Sequence, residues 1–303
     1  MKIVLAGATG FIGAPLVELL GKENHDLVLL TRRHRIRQGS LPGRLTMAEW
    51  DGATVGSWSG HLDGADAVIN FAGEPLDAHR WTPARKERII SSRVNAAGAL
   101  RKAIARAQKK PSVVVNASAV GYYGPRDDEG ITEEAPHGSG FLAETCVRWE
   151  EAAMSMSAEV PRIVILRCGV VLGKEGGALR KMLLPFKLFA GGTLGSGTQW
   201  LPWVHREDLV RVIGMVIGDP AVRGPVNVVA PESVTMKAFC SALGRTLHRP
   251  SWAPVPSVLL RLLLGEMAGM VLTGQRVVPA KLQQLGYAFR FPALTPALAD
   301  LLQ

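Results

Sequence analysis

The stretch KIVLAGATGFIGAPLVELLGK, residues 2–22, constrains the fold more than any other part of the chain. An apolar run of strand length leads straight into Gly7-Ala8-Thr9-Gly10-Phe11-Ile12-Gly13, and an amphipathic segment of helix length follows. Glycine at every third position suits a sharp bend that lets another backbone or a ligand come close. Between a strand and a helix such a turn reads as a dinucleotide site, because the helix N-terminus offers unpaired N–H groups and partial positive charge to a pyrophosphate. The lysine and apolar run also look like a short secretory signal, but the glycine spacing explains them better.

The rest of the chain continues the alternation. Strand-like runs DLVLLT (26–31), ADAVINFAG (65–73), SVVVNAS (112–118) and RIVILRCG (162–169) are separated by helix-length segments near 84–107 and 141–157. Repeated βαβ units with almost wholly apolar strands predict a parallel sheet covered on both faces. After about residue 170 the rhythm changes to glycine-rich turns, a VNVV strand near 226–229 and proline-punctuated helical sequence. The expected class is α/β: a Rossmann-type, doubly wound parallel sheet with a smaller, mainly helical C-terminal substrate lobe. Residues 1–170 should form the nucleotide-binding domain, with residues 200–230 returning to it, and residues 171–303 the lobe over the sheet's carboxyl edge.

The 303 residues, 47% of them hydrophobic, suffice for a full core. Three scattered cysteines form no metal or disulfide pattern, so a reducing, cytoplasmic setting and no metal are expected. The apolar run VPSVLLRLLLGEMAGMVL is interrupted by Arg261 and Glu266 and falls short of a membrane span. It reads as packed helix, core or homodimer surface. The net charge of +9 favours anionic partners, and RRHRIR at 32–37 supplies four of the positive charges. No recognition helix or aromatic-studded basic sheet accompanies that run, so nucleic acid is not expected as a partner, and with no uninterrupted span neither is a membrane. A small molecule is.

The second strand ends in Thr31-Arg32, where a carboxylate ordinarily holds the ribose hydroxyls of NAD. Arg32 can instead donate paired hydrogen bonds to a 2′-phosphate, which predicts NADP(H). Arg33 reads as solvent-facing. Phe71-Ala72-Gly73, after the strand ending at Asn70, are small enough at their end to admit the adenine-ribose side of the cofactor, and Arg93 on the next helix could reach a phosphate.

GATGFIG, NFAGEPL, HRWTPARKERIISSRVNAAGAL, SAVGYYG, RCGVVLG, GSGTQWLPWVHREDL, NVVAPESVTMKAF and GQRVVPAKLQQLGYAF occur in that order. Together they resemble the epimerase-like atypical branch (39U) of the extended short-chain dehydrogenase/reductases, over almost the whole chain. The resemblance implies an NADP-binding Rossmann fold with a C-terminal segment, about 248–297, peculiar to that branch. It also implies cofactor roles for Gly7, Gly10, Phe11, Ile12, Thr31, Arg32, Phe71, Ala72 and Arg93, and for Gly169 and Val170 beside the nicotinamide. Epimerase or dehydratase ancestry comes with the family; its sugar substrate does not carry over.

One feature of the superfamily is missing. Working members place Tyr and Lys four apart on one helix, where the ammonium lowers the phenol pKa from near ~10. Here the corresponding stretch is FLAETCVRWEEAA, and alignment on Glu150 puts Leu142 and Cys146 at those positions. Tyr122 and Arg126 have the right spacing, but Gly124-Pro125 should keep them off a common helix face. The catalytic candidates are therefore Ser118, Tyr122 and Tyr123 at the sheet's carboxyl edge. Among the other conspicuous groups, Gln199 and Trp200 read as pocket wall, His205 and Asp208 as structural, and Glu74 as facing either cleft or solvent. The expected activity is NADP(H)-dependent oxidoreduction. The alternative is an NADP(H) sensor that has lost the Tyr-Lys pair, and a third possibility is epimerase or dehydratase chemistry on a nucleotide sugar.

Overall fold

A computed structural model describes residues 1–32 and 44–303. Arg33 and the remainder of the basic run lie outside the described residues. The main sheet has seven strands: β1 (Lys2–Ala6), β2 (Asp26–Thr31), β3 (Leu45–Glu49), β4 (Ala67–Asn70), β5 (Val113–Ala119), β6 (Ile163–Cys168) and β10 (Gly224–Val228). Their order is β10-β6-β5-β4-β1-β2-β3, and every pairing is parallel.

The direction of the chain reverses across the sheet between β1 and β4. Such a switch point opens a crevice at the strands' carboxyl ends. Five of the strands are apolar runs visible in the sequence, and the VNVV signal near 226–229 falls on a sixth, β10. The edge strand β3, LTMAE, is only half buried and carries no such signal.

Helices α1 (Gly13–Lys22) and α5 (Arg206–Gly218) pack on one face, over a core that includes Leu5, Leu16, Leu29, Val115 and Ile213. Helices α2 (Pro83–Arg106) and α3 (Phe141–Met154) cover the other, over Val4, Leu30, Val68, Leu100 and Ile165. Helix α2 begins as its sequence dictates: Thr82 accepts a hydrogen bond from Arg85 N at 3.2 Å, and Pro83 occupies the first turn, where no N–H is needed.

The C-terminal part holds two short sheets and a separate core. Strand β7 (Val170–Leu172) runs parallel to β9 (Trp203–His205), and β8 (Trp200–Leu201) runs antiparallel to β11 (Val234–Thr235). Helices α4 (Gly177–Lys187), α6 (Met236–Thr246) and α10 (Leu294–Leu302) close a cluster around Trp203, Phe239 and Leu298. Between α6 and α10 come α7 (Ser257–Leu264), α8 (Gly269–Leu272) and α9 (Ala280–Gln284).

Buried carboxylates tie the end of the chain to the sheet layer. Asp208 accepts Arg290 N at 2.8 Å and Phe291 N at 2.9 Å, and Glu133 accepts both Asn227 N and Lys281 N. An ionised carboxylate taken out of water requires such donors.

Candidate active site

At the end of β1 the glycines divide the work. Gly7 has φ +80°, and a Cβ there would lie 2.7 Å from the carbonyl carbon of Phe71, so the turn is pressed against the backbone leaving β4. A Cβ on Gly13 would lie 2.5 Å from Gly7 O. Gly10 is different: a Cβ there would meet only Gly7 O, at 3.4 Å. Two glycines therefore close the turn on itself, and the third leaves an open side at the start of α1. That helix has no carboxylate in its first turn and no side-chain cap, and Ala14 N already donates to Gly10 O at 3.0 Å, so an anion would take the N–H groups ahead of it, on Phe11, Ile12 and Gly13. The ring of Phe11 is occupied elsewhere, against Gly173, Gly176 and Gly177, with the Arg206 guanidinium 5.1 Å from its centroid.

The strand register places the neighbouring groups. Ala6 stands opposite Leu30 on one side and Asn70 on the other, so Gly7, Thr31 and Phe71 lie side by side at the carboxyl edge. Thr31 is buried and Arg32 is exposed just beyond it. Asn70 shapes the next turn by accepting Ala72 N at 3.1 Å and donating to Asn116 at 2.7 Å.

Arg93 is buried rather than on the surface. Its Nη1 donates to Ile89 O at 2.9 Å and Glu74 O at 3.1 Å, its guanidinium stacks 4.8 Å from the Trp149 ring, and a Cβ on Gly73 would come within 3.1 Å of its Cζ. Burial pushes its pKa below the usual arginine value. The result is a cation packed beneath the Gly73–Glu74 backbone. Glu74 itself accepts from Arg85 Nη1 at 2.9 Å.

Past the end of β5, two of the three catalytic candidates are buried and hydrogen-bonded inward. Ser118 is buried and donates inward to Glu150 Oε1 at 2.6 Å. Glu150, on α3, forms a two-pronged ion pair with Arg167 of β6, Nε to Oε1 at 3.0 Å and Nη2 to Oε2 at 2.9 Å. Arg167 Nη1 then donates to the Tyr123 hydroxyl at 2.9 Å, which donates to Asn227 Oδ1 at 2.7 Å.

Tyr123 is completely buried, and burial outweighs the nearby arginine, pushing its pKa up to about 12. It is a neutral strut at working pH, with its proton committed to Asn227. Burial opposes the charge of Arg167 too, but the hydrogen bonds and charge of Glu150 and Tyr123 hold its pKa above the usual arginine value.

Tyr122 is the candidate that remains partly exposed. The Arg167 guanidinium lies 3.5 Å from its ring centroid, and the ring meets Tyr123 and His137 edge-on. No helix joins it to Arg126. A single short turn, residues 120–123, ends at Gly124 with φ +63°, and Arg126 turns to Tyr123 O, Glu129 and Pro136 O.

On α3, Leu142 and Cys146 face Gly121, where its Cβ would lie 3.4 and 3.9 Å from them. Cys146 is buried and its thiol is pushed up to about 11 by burial. Where the parent pattern has a phenol and an ammonium, this chain packs two apolar groups.

Gly169 and Val170 turn the chain from β6 into β7 under the β8–β9 corner: a Cβ on Gly169 would lie 2.7 Å from Pro202 O, and Val170 N donates to that oxygen at 2.8 Å. Gln199 donates to Leu194 O and Val271 O, and Trp200 donates to Asp128 at 2.7 Å. His205 caps α5 by accepting Glu207 N at 3.1 Å.

Sequence reasoning missed Arg167, Asn227 and Glu133. The available signal was an arginine within the apolar strand RIVILRC, because a charge in a buried strand requires a partner.

Residues 3–229 match the model of the NAD dependent epimerase/dehydratase family. The chain belongs to that family. Residues 255–301 also match a domain of unknown function, DUF1731, which follows the epimerase part here.

Among epimerase-family relatives, the SDR39U1 homolog of Arabidopsis thaliana, described as chloroplastic, is 39% identical, covering 100% of this chain and 87% of its own. YfhF of Bacillus subtilis is 38% identical over 100% and 98% of the two chains. A crystal structure of human epimerase family protein SDR39U1 with NADPH superposes with a TM-score of 0.87 at 34% identity, covering 99% of each chain.

Proposed function

We propose that the protein binds NADP(H) across the carboxyl ends of β1, β2 and β4 and transfers hydride to or from a small polar or carbonyl-bearing substrate. The observation that carries this reading is the open side of Gly10 beside an uncapped helix N-terminus, with Arg32 exposed one strand away. In this reading Gly7, Gly10 and Gly13 shape the turn, and the N–H groups of Phe11 and Ile12 hold the pyrophosphate. Arg32, beyond Thr31, grips the 2′-phosphate. Phe71, Ala72 and Gly73 border the adenine-ribose side, Arg93 lends positive charge beneath that backbone, and Gly169 and Val170 border the nicotinamide side. The human relative's crystal structure with NADPH supports the same choice of coenzyme.

When bound, the nicotinamide supplies or accepts the hydride. The chain's part is to orient the substrate, exclude water with the C-terminal lobe and move one proton, for which the Tyr122 hydroxyl is the remaining candidate. Three unpaired, buried cysteines suit a cytoplasmic, reducing setting.

Titration calorimetry tests the coenzyme assignment. Arg32→Ala should weaken NADPH by about 1.5–3 kcal/mol, roughly 10- to 150-fold, and leave NADH nearly unchanged. Equal losses for both coenzymes would refute the 2′-phosphate contact.

A second reading, a protein that senses NADP(H) without turning it over, is favoured by one observation: Leu142 and Cys146 in place of the phenol and ammonium. Following NADPH absorbance against a panel of carbonyl compounds separates the two. Turnover that falls about 100-fold in Tyr122→Phe, with Tyr123→Phe changing stability more than rate, supports the enzyme. Tight binding by the native protein with no turnover supports the sensor.

A further inference from the structure

We infer that the face formed by the end of α4, Trp252 and α7 docks on an anionic lipid surface. Of the twelve large hydrophobic side chains exposed among the described residues, nine fall within residues 184–189 and 252–270. Helix α7 is apolar on both sides. Leu260 is buried beneath it, while Val258 and Leu262, one turn apart, stay 77% and 72% exposed beside Leu259 and Leu263. The outer side of a helix on a water-facing protein is ordinarily polar.

The end of α4 and the segment leading into α7 adjoin. Trp252, 70% exposed, donates its Nε1 to Phe189 O at 3.1 Å; Ala253 N donates to Gly191 O and Val255 N to Thr193 O. The chain after Leu188 and Phe189 thus runs beside the chain leading into α7. Exposed apolar surface of this kind marks an interaction site.

Charge identifies the partner. No Asp or Glu occurs between Glu175 and Glu207, or between Glu232 and Glu266, yet these stretches carry Arg180, Lys187, Arg245, Arg249 and Arg261; of the acids that border them, Asp77 is paired with Lys181 and Glu266 with Lys86. Next to Phe189 lies an open recess lined by Ser241, Arg245, His248, Arg249 and Ser251, and the Arg249 guanidinium sits 4.4 Å from the Phe189 ring centroid. Arginines beside serines at the border of an apolar patch suit a lipid phosphate, with Trp252 and Phe189 at the level where aromatic rings sit in a bilayer.

A second copy is a poorer occupant, because a twofold contact would bring together two copies of the same cationic border, with no acidic residue in these stretches to pair them. The expectation of no membrane partner rested on the lack of a spanning run. Among the described residues no helix is long and apolar enough to cross, and surface docking needs none.

Flotation with vesicles tests the inference, using phosphatidylcholine alone and phosphatidylcholine mixed with phosphatidylglycerol. The protein should float with the anionic vesicles only, and added salt should weaken the binding. Val258→Ser/Leu262→Ser should abolish it, and Arg245→Gln and Arg249→Gln should each weaken it about fivefold. All of these side chains are at the surface, so thermal unfolding of the variants should match the native protein. Absence of flotation, equal flotation with neutral vesicles, or a concentration-dependent dimer in light scattering that Val258→Ser/Leu262→Ser disperses would overturn it.

Discussion

Arg167→Met destabilises the fold by about 3–5 kcal/mol in urea unfolding, because it strips the partner from a carboxylate whose side chain is only 11% exposed. Arg167 satisfies both oxygens of Glu150 and also donates to the Tyr123 hydroxyl and Glu133 O. Its loss leaves Glu150 charged and held only by Ser118, and leaves Tyr123 without its donor.

The double variant Arg167→Met/Glu150→Leu removes both charges and should recover most of the loss, since apolar replacement of a whole buried pair is often neutral. Recovery in the double variant is the signature of an uncompensated charge. A single-variant loss below about 1 kcal/mol would mean that solvent reaches Glu150 after all.

Gly13→Ala should cut NADPH affinity at least about 100-fold, or close to 3 kcal/mol, while the chain still folds. The added methyl would sit 2.5 Å from Gly7 O and 2.6 Å from Ala8 Cα. Both are backbone, so the turn must open, and an opened turn no longer presents the Phe11 and Ile12 N–H groups together. Gly10→Ala provides the contrast. Its methyl meets no protein atom closer than 3.4 Å, so it should weaken binding by occupying cofactor space while thermal unfolding stays near native. Calorimetry paired with thermal unfolding distinguishes the two. Native affinity in Gly13→Ala would remove the cofactor from this turn.

The elements that could be read early share one property: their signal is local. Runs such as KIVLA and VVVNASA are apolar because both faces of the sheet are covered, and the TPARKER start of α2 carries its own cap. Strand β3 went unread because LTMAE at the sheet edge is only half buried and has no local pattern. The break between Tyr122 and Arg126 was also legible, since Gly124-Pro125 acts on its immediate neighbours.

The catalytic candidates fared otherwise. Tyr122 and Tyr123 are adjacent in sequence, yet one remains partly exposed against Arg167 and the other is sealed inside with Asn227, 104 residues away. Their different fates depend on strand β10 closing the sheet beside β6.

Sequence alone determined the parallel sheet, the glycine turn at its first strand, the arginine in place of an acidic residue after the second, and the absence of a helical Tyr-Lys pair. Tertiary structure decided which hydroxyls keep a free proton, that Arg93 lies under the backbone, and that the outer side of α7 stays uncovered. Backbone preferences and hydrophobic periodicity act over a few residues and are written along the chain. Burial and the pairing of charges depend on partners brought from far apart, and only the folded arrangement supplies them.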